Sequence, residues 1–153
     1  MDLGDLISPD AIFPALKAKS KKQALHELAQ RAATLTGVAE RTIYDTLQQR
    51  ENLGSTGVGR GIAIPHGRVP ELRRIVSLLA RLSEPIAFDS LDGEPVDLIF
   101  LLLAPEHAGA DHLTALARIS RLLREPSTIE RLRAAQDRAA IYSVLTASAA
   151  HAL

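Results

Sequence analysis

The chain contains no cysteine among its 153 residues. This absence excludes disulfide bonds, thiolate metal sites and cysteine nucleophiles together, and it neither requires nor excludes an oxidising compartment. There is also no surplus of charge, because 18 basic residues balance 18 acidic ones. A neutral chain lacks the basic footprint that nucleic acid or an anionic membrane would attract. We therefore expect partners that are proteins or small molecules.

Long apolar runs are missing as well. The longest, "LIFLLLA" at 98–104, is far shorter than the roughly 20 residues that span a bilayer. The N-terminal stretch "MDLGDLISPD" is acidic and lacks the basic region and apolar core of a secretory signal. We therefore expect a cytoplasmic protein with no membrane insertion.

The length and composition fit one globular domain over 1–153, with its core at about 5–147. The capping-box spacing of "SKKQ" at 20–23 predicts a helix that runs to Gly37. A second helix is predicted over about 39–51, which places Arg50 near its C-terminal end. "STIE" at 127–130 has the same capping-box spacing, and a last helix is predicted over about 136–147.

Strand signals lie between these helices. "GIAI" at 61–64 predicts a short strand, and "IVSLLARL" at 75–82 alternates so that Val76, Leu78, Ala80 and Leu82 share one face. The apolar run at 98–104 predicts a central strand with both faces covered, which requires helices on both sides of the sheet. The sequence therefore predicts a layered α/β domain.

A further helix is predicted from Asp111, with Asp111 as its N-cap and His112 as its first residue. Its buried stripe is predicted to contain Leu113, Leu116, Ile119 and Leu123.

The loop "LGSTGVGRG" at 53–61 combines several glycines with the hydroxyls of Ser55 and Thr56. Backbone N–H groups of such a loop can approach an anion closely. Its spacing is neither that of a P-loop nor that of a dinucleotide-binding loop. The residues alone favour a flexible connection over a phosphate cradle.

Two histidines are candidate functional residues. His66 is predicted to end a strand beside the glycine loop, and ligand crevices lie at strand ends in open α/β sheets. His112 is predicted at a helix N-terminus, where free N–H groups favour a bound anion. The two side chains are candidates to meet over one phosphate. A zinc site would need a third ligand, Asp111 or Glu51, and no metal-ligand spacing supports one.

Three segments together resemble the enzyme IIA proteins of the bacterial phosphotransferase system, of the fructose and mannitol type. They are "RENLGSTGVGRGIAIPHGR" at 50–68, "PIAFDSLDGEPVDLIFLLLAPE" at 85–106 and "DHLTAL" at 111–116. Within that family the chain resembles the nitrogen-related branch. The resemblance implies a mixed sheet of about five strands between helices, and it implies no metal or cofactor.

The resemblance also implies roles for individual residues. His66 would accept a phosphoryl group on Nε2 from the carrier protein HPr or from NPr, its nitrogen-branch counterpart. Arg50 and His112 would hold the phosphoryl oxygens. The phosphate-binding loop would include Ser55, Thr56, Gly57, Gly59 and Gly67, with the glycines leaving room for the partner's phosphohistidine.

The expected function is that of a regulatory phosphocarrier rather than a turnover enzyme. In the family, the two phosphorylation states bind different targets, such as potassium transport systems and sensor kinases. One alternative is a free-standing sugar-specific IIA component that passes phosphate to the cysteine of a IIB domain. A metal-dependent hydrolase built on His66 and His112 is a weaker alternative.

Overall fold

The computed structural model describes residues 3–151, with side chains over 3–146, and that part of the chain contains six strands and five α-helices. The strands are β1 (Ile12–Leu16), β2 (Gly57–Gly59), β3 (Ile62–Ala63), β4 (His66–Arg68), β5 (Val76–Ile86) and β6 (Val96–Ala104). The helices are α1 (Lys21–Thr36), α2 (Glu40–Asn52), α3 (Ala110–Leu122), α4 (Pro126–Ala134) and α5 (Arg138–His151).

The six strands form one mixed sheet in the order β1-β5-β6-β3-β2, and β4 pairs with β6 off this path. The β5–β6 and β2–β3 pairs are antiparallel, whereas β1–β5, β3–β6 and β4–β6 are parallel. Every residue of β6 except Asp97 is buried, so both faces of this central strand are covered. The predicted layered α/β class is confirmed, with six strands where about five were expected.

His66 begins a strand instead of ending one. The strand predicted from "GIAI" is only β3, and it stops at Ala63. Pro65 lacks an N–H and interrupts the pairing, while its carbonyl still accepts a hydrogen bond from Leu102 N at 3.0 Å. β4 then pairs in register with β6, His66 opposite Leu102. The imidazole is thereby held beside the most buried strand of the sheet.

β5 is buried on both faces, and the predicted alternation is wrong there. Leu79 and Ser77, which the pattern places on the outer face, are as buried as Leu78 and Ala80. The reason is that α1 and the turn Pro9–Ala11 both pack on β5. The buried hydroxyl of Ser77 donates a hydrogen bond to Leu6 O.

The predicted helices before the site are confirmed. Ser20 caps α1, because its Oγ accepts a hydrogen bond from Gln23 N at 3.1 Å, and α1 ends at Gly37. α2 buries Ile43 and Leu47 and carries Arg50 in its last turn.

The helices after the site depart more from the prediction. The α4 capping box is wrong, because Pro126 begins the helix and Ser127 lies within it; proline's preset φ favours the first helical position. α3 begins at Ala110 after Gly109, so Asp111 is not its N-cap and His112 is its third residue. Leu113, predicted to be buried, is 65% exposed. α5, the predicted last helix, runs to His151 and buries Ile141, Val144 and Leu145.

Candidate functional site

Arg50 is aimed at His66 from the last turn of α2. Its Nη1 donates a hydrogen bond to Gly54 O at 2.9 Å, which anchors one end of the guanidinium. Its Nε donates to Nε2 of His66 at 3.3 Å. The structure therefore brings together the two residues that the sequence placed at the ends of a helix and a strand.

The second ring nitrogen of His66 determines the protonation of the imidazole. Nδ1 lies 2.8 Å from Ile64 O. A carbonyl oxygen only accepts hydrogen bonds, so the proton of the neutral ring resides on Nδ1. Nε2 then carries the lone pair, and it faces the guanidinium of Arg50. The geometry presents Nε2 as the nucleophilic atom.

The environment keeps the His66 ring neutral. Burial lowers the pKa of His66 below its ordinary value of 6.5, and the positive charge of Arg50 lowers it further. The hydrogen bond to Ile64 O and the carboxylate of Glu51 act in the opposite direction but do not overcome these effects. A neutral imidazole retains the electron pair that nucleophilic attack requires.

His112 completes the pair of histidines. Its ring meets that of His66 edge to face, with centroids 5.8 Å apart and planes at 82°. Its Nδ1 is buried and has no hydrogen-bond partner among the described residues. A proton on that atom would be unsatisfied, which favours the tautomer with the proton on Nε2. Burial, the charge of His66 and that of Arg68 all lower the pKa of His112.

Arg68 adds a second guanidinium near the two histidines. It is exposed, its Nη1 donates a hydrogen bond to Glu106 O at 3.0 Å, and its charge acts on His112. Arg68 was not predicted to be a functional residue, although its position two residues after His66 was a usable signal. Side chains alternate along a strand, so residues 66 and 68 lie on one face.

The hydroxyls of the glycine loop bind groups of the protein itself. Ser55 Oγ donates to Phe88 O at 2.6 Å and accepts from Gly57 N at 3.0 Å. Thr56 is buried and its Oγ1 donates to the carboxylate of Glu51. These bonds hold the loop in one conformation. A direct role of Ser55, Thr56, Gly57, Gly59 and Gly67 in phosphate binding stays a prediction.

Close contacts within the protein explain why glycine occupies several positions of the loop and of β4. A Cβ on Gly57 would overlap Ser90 Oγ, and one on Gly67 would lie 2.5 Å from Cγ2 of Thr46 in α2. Gly59, at a φ of +101°, approaches the carboxylate of Asp92. These contacts were not foreseen from the sequence, because the partners are distant along the chain.

No cluster of three or more histidine, aspartate or glutamate side chains suited to a metal ion occurs in the described part of the chain. Glu51, considered as a third zinc ligand, is engaged instead with Lys21 Nζ at 3.0 Å and with Thr56. Among the described residues, no helix combines the length and the apolar character that a membrane span requires.

The model of one protein family matches residues 5–148. That family is described as phosphoenolpyruvate-dependent sugar phosphotransferase system, EIIA 2. The chain belongs to the EIIA 2 family.

Within the EIIA 2 family, the chain is similar to nitrogen regulatory proteins. It is 62% identical to the nitrogen regulatory protein of Bradyrhizobium diazoefficiens over 145 residues, 95% of each chain. Its structure matches that of the nitrogen regulatory protein IIA-Ntr from Neisseria meningitidis with a TM-score of 0.89 and 33% identity, covering 94% of this chain and 99% of that one.

The chain also matches part of a larger, sugar-specific component. The 2-O-alpha-mannosyl-D-glycerate-specific EIIABC component of Escherichia coli is 33% identical over 138 residues, which are 88% of this chain but only 21% of that protein. The similarity to the two nitrogen regulatory proteins thus extends over at least 94% of each chain, whereas the similarity to the sugar-specific component covers one part of a larger protein.

Proposed function

We propose that this EIIA 2 protein is a regulatory phosphocarrier of the nitrogen-related phosphotransferase system, with His66 as its phosphoryl acceptor. The observation that carries the proposal is the state of the His66 ring. Nδ1–H is held by Ile64 O, Nε2 directs its lone pair at Arg50, and the ring of His112 lies edge to face with that of His66. A nucleophile, two charge-stabilising groups and a neutral ring are what histidine phosphorylation needs.

In the proposed step, the lone pair of Nε2 forms a bond to the phosphorus of a phosphohistidine on the donor protein. The P–N bond of the donor breaks in line, and the donor imidazole recovers the electron pair. The proton of His66 stays on Nδ1, shared with Ile64 O. One P–N bond breaks and another P–N bond forms, with no change of oxidation state, so the transfer is reversible.

Arg50 and His112 compensate the charge of the transferred group. The Arg50 N–H that donates to Nε2 in the resting protein turns to a phosphoryl oxygen once Nε2 is occupied. The Nε2–H tautomer of His112, favoured by its buried and unpartnered Nδ1, supplies a neutral donor. Such preorganised donors stabilise the charge spread over the equatorial oxygens.

The surroundings of the site fit a protein donor. Large exposed apolar side chains of the described residues include Leu53, Val58, Leu91 and Leu113, which we call the apolar rim. Leu53 precedes Gly54, the anchor of Arg50, and Leu113 follows His112. Val58 lies between two glycines that pack on the segment containing Leu91. Exposed apolar side chains, two of which adjoin Gly54 and His112 in the chain, are typical of protein docking surfaces, here for HPr or NPr.

The regulatory form of the proposal rests on the full-length similarity to nitrogen regulatory proteins. Phosphorylation would add roughly two negative charges within the apolar rim and so change which protein binds there. The targets would be proteins such as potassium transport systems or sensor kinases, within the cytoplasm.

Phosphorylation is tested with phosphoenolpyruvate, enzyme I and HPr or NPr, with intact mass as the readout. We expect one acid-labile phosphoryl group, lost in His66→Ala and kept in His107→Ala, a matched control in an exposed turn. An unmodified wild-type protein, beside a control acceptor that is modified in the same mixture, would contradict the proposal. Rapid onward transfer to the cysteine of a IIB domain would favour the sugar-specific alternative.

A further inference from the structure

Glu51 is the most buried carboxylate of the described chain and directly follows Arg50 in the last turn of α2. Burying a carboxylate is costly unless it is paired and hydrogen-bonded. Glu51 meets both conditions, because it forms an ion pair with Lys21 Nζ at 3.0 Å and accepts hydrogen bonds from Thr56 N at 3.1 Å and Thr56 Oγ1. The side chain is fully engaged away from His66.

The bonds of Thr56 extend in two directions. The first reaches Arg50: the loop held at Thr56 places Gly54 O, which anchors the guanidinium at 2.9 Å. The second reaches His66: Thr56 O accepts from Ile64 N at 3.0 Å, and Ile64 O binds Nδ1 of His66 at 2.8 Å. One buried residue therefore lies at the base of both halves of the site.

We propose that Glu51, neutralised by Lys21, is a positioning residue for phosphoryl transfer. It fixes the position of Thr56, and Thr56 in turn determines the position of the Arg50 guanidinium and the tautomer of His66. Glu51 touches neither reacting group. Its carboxylate also raises the pKa of His66, and Thr56→Val leaves that charge in place, so the threonine variants isolate the action through the loop. The inference rests on the proposed function, since it concerns the same reaction at His66.

The alternative is that Glu51 contributes to stability alone. Two matched substitutions separate these cases. Thr56→Val removes the hydroxyl but keeps the shape and the backbone N–H, and Thr128→Val makes the same change at an equally buried site in α4, 5% exposed against 4% for Thr56. Glu51→Gln removes the charge, with Glu130→Gln as the exposed counterpart. Thr56→Ser restores the hydroxyl.

The first readout is the rate of phosphoryl acceptance from HPr, divided into kcat and KM. We expect Thr56→Val and Glu51→Gln to lower kcat about 10- to 100-fold, as small misplacements of reacting groups do, with KM for the carrier changed less than about 2-fold. Thr56→Ser recovers most of the rate, and the two control variants accept phosphate at the wild-type rate.

The second readout is the ¹⁵N spectrum of the His66 ring, which reports the tautomer without any phosphorylation. We expect the Nδ1–H form to lose population in Thr56→Val and Glu51→Gln only. Folded variants with wild-type kcat and unchanged ring signals would overturn the inference. If the wild-type protein itself accepted no phosphate, the proposed function would fail, whereas the ring spectra would still test the positioning. If Glu51→Gln does not fold, the threonine series decides.

Discussion

At the scale of single residues, the imidazole of His66 is controlled by its neighbours rather than by its intrinsic basicity. Burial and Arg50 both lower its pKa, while Ile64 O holds the proton of the neutral ring. The residues predicted that His66 and His112 could meet, and the family resemblance added Arg50; the structure places the three side chains together. The sequence motif could not predict the roles of Ile64 O and Gly54 O, because backbone carbonyls have no signature in a sequence.

The pKa shift of His66 can be measured directly. In a ¹⁵N titration of the ring we expect a midpoint below the ordinary value of 6.5. Arg50→Gln should raise this midpoint, because it removes a positive charge that disfavours the imidazolium. Arg68→Gln is the matched control, since the charge of Arg68 acts on His112. Equal effects of the two variants on His66 would contradict the assignment of the cause to Arg50.

The same shift predicts the pH dependence of the reaction. Phosphoryl acceptance requires the neutral ring, so the rate should decline only below the lowered pKa of His66, at more acidic pH than a free imidazole would show. Single-turnover acceptance by the wild-type protein between about pH 8 and pH 5 checks this. A decline that begins already above pH 6.5 would show that the ring is not shifted downward.

At the scale of elements, local sequence signals predicted α1 and α2. Long-range contacts determined β1 and the spacing between α2 and β4. Ser20 and Gly37 delimit α1 as the sequence indicated. β1 was not predicted, because its five residues include Pro14, which has no N–H and is tolerated at the edge of a sheet. The spacing between α2 and β4 depends on Gly67 against Thr46, a contact that no periodicity reveals.

That contact predicts a specific pair of mutations. Gly67→Ala should lower the free energy of unfolding by about 1–3 kcal/mol, as overpacking does, because the new methyl group would lie 2.5 Å from Cγ2 of Thr46. Thr46→Ser removes Cγ2 but keeps the hydroxyl bond to Thr42 O, so the double variant should regain most of the loss. Urea unfolding of the four proteins is the measurement, and additive effects would show that the two sites are independent.

At the scale of the whole molecule, the half-buried His66 and the buried His112 make stability depend on pH. The pKa values of His66 and His112 are both lowered in the folded protein, so below about pH 6.5 the unfolded chain binds protons that the folded one excludes. This contribution to stability is fully present above pH 6.5 and is lost as the pH falls towards the folded pKa values. The lowered pKa values of Asp5 and Asp92 act only in a more acidic range, below 3.8.

Urea unfolding at intervals between about pH 7.5 and pH 5 should therefore show a declining free energy of unfolding. His112→Asn should flatten that decline, whatever its effect at neutral pH, because one of the two groups that take up protons on unfolding is gone. An identical slope in the wild type and the variant would contradict the prediction.

The hydrogen bond from Arg50 to His66 has a consequence for chemical selectivity. In the resting protein the guanidinium shields the electron pair of Nε2. An uncharged electrophile must therefore displace a cation with which it forms no ion pair. An anionic group draws the same cation towards itself and exposes the nitrogen as it arrives. If His66 has the proposed function, the resting site should therefore expose Nε2 more readily to an anionic phosphoryl group than to an uncharged alkylating or acylating agent.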